Sequence, residues 1–143
     1  MSYSNGKQET LIKLTITAPK LDFDFIETML GLEPEKDRCW HNGDLRRNRK
    51  SNYDFSRWTS KVLITESILL DEEILGYLEP IKNKKEQIIK IKNKFENHSL
   101  FLVVVPYIGR DQELPTQIMP HDLSLMKLLI DLDILLDIDY YLL

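Results

Sequence analysis

Residues 34–58 read PEKDRCWHNGDLRRNRKSNYDFSRW, two tryptophans flanking a Gly-Asp turn and a run of arginines. Aromatic and β-branched positions recur on both sides of a polar, basic centre, in Arg38 to Leu45 and again in Tyr53 to Ile64, so the stretch predicts a β-hairpin with a long tip. Gly43 and Asp44 suit its turn, glycine through positive φ and aspartate through a short carboxylate that bonds the turn backbone. Tyr53 and Phe55 keep a two-residue period that Trp58 breaks by one, which predicts a bulge or bend between Phe55 and Trp58.

Outward from the hairpin, Leu11 to Thr17 alternates in the manner of a half-buried strand, and Pro19 closes it. Asp22 or Asp24 can cap the helix that follows, with Ile26, Met29 and Leu30 on one face and Gly31 as its left-handed stop. Beyond the hairpin, Asp71, Glu72 and Glu73 open a helix whose dipole favours acids at that end, and Pro80 predicts a kink or restart. From Ile81 onward, Ile88, Ile91 and Phe95 form the apolar face of a helix with a lysine-rich exterior.

Leu100 to Val105 is apolar without alternation and ends at Pro106, as a central strand covered on both faces should. Gly109 to Pro120 reads as a loop, and Asp122 as the cap of a helix burying Leu125, Leu128, Leu129 and Leu132. Leu135 to Leu143 alternates as a terminal strand with one wet face. The order β, α, β, β, α, β, α, β predicts an α+β fold with helices on one face of a mainly antiparallel sheet: a ferredoxin-like βαββαβ core extended by a C-terminal αβ.

The 143 residues fit one domain, residues 1–143, with 43% hydrophobic and 29% charged side chains. Cys39 is the only cysteine, which rules out an intrachain disulfide and a cysteine-based zinc cluster and makes a reducing cytoplasm the expected location. The polar start and the short apolar runs predict neither a secretion signal nor a membrane span. Net charge is −4, unevenly placed: residues 34 to 100 carry 14 Lys and Arg against 11 Asp and Glu, whereas residues 111 to 143 carry Lys127 against seven acids.

Landmarks along nearly the whole chain, Leu30-Gly31-Leu32-Glu33-Pro34, Gly43-Asp44, Trp58, Leu78-Glu79-Pro80 and Asp137-Ile138-Asp139-Tyr140, resemble the bacterial domain-of-unknown-function family 4279. The basic insert Arg46 to Lys50 and the lysine-rich helix depart from that family's pattern. The resemblance implies small cytoplasmic proteins without an established activity, some of which resemble immunity proteins that bind polymorphic toxins. It brings no catalytic residues.

Functional and structural readings both stay open at each candidate site. Trp40, Asp44 and Trp58 can form a recognition patch or pack and bond beneath the hairpin, and burial of the indoles decides between them. Arg46, Arg47 and Arg49 can clasp an anionic partner in two-point contacts or simply solvate a loop. Asp137 and Asp139, with Asp131 and Asp133, can meet a basic partner, solvate the surface or hold a hard cation, although their spacing is no EF-hand loop. Cys39 and His41 lack the context of a nucleophile and base, and no helix-turn-helix or RNA-binding motif points to nucleic acid. The expectation is a non-enzymatic binding protein, an immunity protein neutralising a toxin domain, needing no cofactor and free to form a homodimer. The alternatives are a small-molecule sensor and, behind it, a metal-dependent hydrolase.

Overall fold

The computed structural model describes residues 9–67, 69–108 and 123–142. The first strand, β1, is Glu9–Ala18. Asp22, not Asp24, caps the first helix, α1 (Phe23–Leu30), accepting from the Phe25 amide at 3.1 Å. Gly31 ends α1 with φ 65°, and the Lys84 ammonium donates to the Leu30 carbonyl at 2.9 Å.

The hairpin is present, but its first arm is not a regular strand. Trp40 bridges Arg57 and Leu45 bridges Asn52, and the Gly43 and Tyr53 amides bond across the turn. The second arm continues into β2 (Ser56–Thr59) and β3 (Leu63–Thr65), both antiparallel to β1. The register break lies at Ser60 to Val62, not between Phe55 and Trp58: Tyr53 and Phe55 share the face of Trp40, whereas Trp58 points to the other side. At the break Ser60 replaces the ladder, its amide bonding the Leu14 carbonyl at 2.9 Å and its hydroxyl accepting from the Leu14 amide at 3.0 Å. That hydroxyl donates in turn to Tyr77, whose own O–H donates to the Lys61 carbonyl.

Helices α2 (Leu70–Leu78) and α3 (Lys85–Lys94) are separated by a 3-10 turn at Glu79–Ile81, where Pro80 interrupts the helical bonding. Strand β4 (Ser99–Ile108) is central, antiparallel to β1 and parallel to β5 (Leu135–Ile138) and β6 (Tyr141–Leu142). Pro106, expected to end β4, sits inside it opposite Thr10, because its fixed φ suits extended backbone. Helix α4 (Ser124–Leu132) joins the last layer; the loop expected at Gly109 to Pro120 and the cap expected at Asp122 lie outside the described residues.

Across the sheet the order is hairpin arm, β2 with β3, β1, β4, then β5 with β6. This is the arrangement of a ferredoxin-like unit with an αβ addition, an α+β fold as the element order predicts. Ile12, Leu14, Ile16, Trp58, Leu102 and Val104 face the four helices and form the core with Ile26, Leu30, Ile74, Leu78, Ile88, Ile91, Leu125 and Leu129. The opposite face, carrying Leu11, Lys13, Thr15, Arg57, Thr59 and Val103, receives none of these helices. That face is where the chain's unusual polar chemistry collects.

Candidate functional site

Strand alternation puts Lys13 and Thr15 of β1 and Arg57 and Thr59 of β2 on the helix-free face, and the Trp40–Arg57 bridge brings the hairpin arm beside them. The Trp40 indole stacks on Tyr53, centroids 4.0 Å apart and planes 9° apart, with Phe55 edge-on at 5.5 Å. Arg57 lies 5.2 Å from the Trp40 centroid and Arg46 lies 4.8 Å from that of Tyr53. Two guanidiniums thus rest on two stacked aromatics, an arrangement that holds long cationic side chains in place while leaving charge at the surface.

Deeper in the face is a buried cation. Lys13 is only 8% exposed and makes no ion pair with any described residue. Burial, then the charges of Arg57 and Arg38, push its ammonium down to about 8, against a smaller opposing pull from Asp137. Arg57, itself lowered by burial and by Arg38, keeps a covered Nε without an acceptor. Arg38 is held over this region by its carbonyl, which accepts from the Thr59 hydroxyl at 3.0 Å; Thr59 in turn lies 3.4 Å from the Thr15 hydroxyl. Three cations therefore repel one another around a floor of two threonines.

The residues singled out by sequence fall in different places. Trp40 belongs to the cation–aromatic set, whereas Trp58 is fully buried and, enclosed by the core, cannot touch a partner. Asp44 accepts from the His41 amide at 2.8 Å and closes the turn beside Gly43, whose φ is 95°. Arg46 reaches Asp54 at 3.8 Å, Arg47 donates to the Asp37 carbonyl at 2.7 Å, and exposed Arg49 occupies a positive-φ turn position. Asp137 is exposed on β5, in register with Val103 and so two strands from Lys13, and Asp139 follows the end of that strand. Asp131 and Asp133 lie apart, paired with Lys85 and Lys92 respectively. Among the described residues no group of three or more His, Cys, Asp or Glu is placed to hold a metal ion.

Cys39 faces inward, bonded through its sulfur to the Glu35 and Thr59 backbones, and burial pushes its thiol up, away from a nucleophilic thiolate. His41 stacks on Phe23 at 4.1 Å, and Asn42 ties the turn to the Pro19 and Asp54 carbonyls. Sequence reading passed over Lys13, Arg38, Tyr53 and Arg57 as site residues. A lysine in the middle of a strand flanked by apolar residues was the one available signal for Lys13.

The structure is thus an α+β sheet with one face under helices and with cations and aromatics gathered on the other. The chain belongs to DUF4279, a domain of unknown function, whose family model matches residues 8–143. No curated protein and no solved structure matches it. Among the described residues no helix is long and apolar enough to cross a membrane.

Proposed function

We propose that this protein is a non-enzymatic binding module that holds an acidic protein surface against the helix-free face of its sheet. The observation that carries the reading is the set of half-buried and buried cations, Lys13, Arg38 and Arg57, which form no ion pair among the described residues and lie beside the Trp40–Tyr53 stack. A fold gains nothing from uncompensated buried charge, which costs stability unless something outside the chain neutralises it. Stacked aromatics and arginines are also the side chains in which interface energy concentrates.

Some members of the family resemble immunity proteins, and this supports identifying the partner as a toxin domain encoded beside this chain in a bacterial cytoplasm. In that reading the basic face steers the toxin's acidic surface and the aromatic stack anchors it. Co-expression with the product of the adjacent gene tests the proposal. A complex that survives purification and rescues growth is expected, and Trp40→Ala or Arg57→Glu should abolish both. A wild-type chain that neither binds nor rescues, or variants that bind as well as wild type, would refute it.

A further inference from the structure

Strands β5 and β6 form a single edge on the far side of the sheet from the hairpin. The pairings Phe101–Leu135 and Tyr107–Tyr141 keep one register along β4, and the gap between the two strands falls opposite Pro106, which has no amide to give. Among the described residues this edge pairs with β4 alone. The Asp139 amide bonds inward to the Val104 carbonyl at 3.0 Å, so alternation along the strand turns the N–H and C=O groups of Leu136, Ile138 and Tyr140 outward. Its side chains are uncovered on both faces: Leu135 and Tyr141 are 57% and 49% exposed on the helix-free side, and Leu136 and Tyr140 are 37% and 46% exposed on the other. An open edge this apolar is a template for a further strand.

Two exposed carboxylates select the strand that fits. Asp137 and Asp139 lie two positions apart on the helix-free side and form no ion pair among the described residues. They oppose a second copy of this chain, because the antiparallel two-fold registers that pair the whole edge centre on Ile138 or Asp139. The first sets Asp137 against Asp139, and the second sets Asp139 against itself. We infer that β5 and β6 accept an antiparallel strand from another protein, an extended segment in which lysine or arginine alternates with apolar residues. The outward N–H and C=O groups of Leu136, Ile138 and Tyr140 bond its backbone, and its apolar side chains cover those three residues. Its cations meet Asp137 and Asp139 on the opposite face. In residues 111 to 143 Lys127 stands against seven acids, so this end of the chain also draws such a segment in. The inference stands apart from the docking of an acidic surface proposed above, which uses the basic face and not this edge.

The probe is a peptide of alternating valine and lysine with blocked ends, as long as residues 135–142, titrated into the full chain at pH 7 and constant ionic strength. Amide NMR should show saturation, with shifts at Leu136, Ile138 and Tyr140 and hydrogen exchange at these amides slowed at least about tenfold. Methylating the valine amides of the peptide, which face the edge in this pairing, should abolish binding, whereas methylating its lysine amides should not. Asp137→Asn and Asp139→Asn should each weaken the midpoint about threefold, the size of an exposed ion pair. A linear response, protection at other amides, or equal loss from the two methylated peptides would overturn strand addition. A valine–glutamate peptide that binds as tightly, or Asn variants that bind as wild type does, would overturn the choice of a basic segment. A dimer at pH 7 that protects the same three amides would make a second copy the occupant and overturn the proposal.

Discussion

Replacing Lys13 by methionine keeps the length of its buried stem and removes its charge, so the exchange isolates the electrostatic cost of the helix-free face. The ammonium falls from its ordinary 10.5 to about 8, chiefly through burial and then through Arg57 and Arg38. At about 1.4 kcal/mol per pH unit this bounds the penalty at about 3.5 kcal/mol. Solvent that still screens a charge at a sheet surface reduces it to about 1.5 kcal/mol. Because the folded-state value is depressed, the unfolded chain binds more protons between pH 8 and 10.5, and wild-type stability from this source rises with pH across that window. Lys13→Met should therefore be more stable at pH 7 and lose the alkaline rise. The Cys39 thiol and Tyr77 phenol, both pushed up by burial, act in the opposite sense, and the difference between the two proteins cancels them. With a urea m-value of about 2 kcal/mol/M, the midpoint should increase by about 0.5–1 M. A lower midpoint for Lys13→Met, or parallel pH curves, would show that Lys13 has an internal partner and would remove the basis of the site.

Trp58→Ala should cost about 3–5 kcal/mol in chemical denaturation, since a fully buried indole leaves a large cavity, and Trp58→Phe should recover much of it. Ser60→Ala should cost about 1–3 kcal/mol by leaving the Leu14 amide and the Tyr77 hydroxyl short of a partner, and hydrogen exchange at Leu14 should accelerate. The Asp133 carboxyl, held below the usual range by the hydrogen bond and charge of Lys92, should titrate upward toward that range in Lys92→Met, as followed by carboxyl carbon NMR. An unchanged midpoint would show that the contact is not formed in solution. Gly31→Ala should destabilise by about 1 kcal/mol, because its φ of 65° is unfavourable for alanine and the new Cβ would stand 2.8 Å from the Lys84 ammonium.

Local chemistry made most of the elements readable in advance. The Asp22 cap, the Gly31 stop, the Pro80 interruption and the position of β1 each depend on residues within a few positions of one another, and steric and hydrogen-bonding rules act at that range, although β1, expected to be half-buried, is buried on both faces. The order of elements likewise specified an α+β sheet with helices on one side. Tertiary packing alone decided which tryptophan went where. Trp40 and Trp58 look alike in sequence, yet opposite strand faces bury one completely and leave the other stacked on Tyr53. Position of the register break was equally non-local, because Ser60 needs Leu14 on one side and Tyr77 on the other to hold it. The same reason hid the site: Lys13, Arg38 and Arg57 come from three separate segments, and their mutual repulsion exists only once β1, β2 and the hairpin arm are side by side.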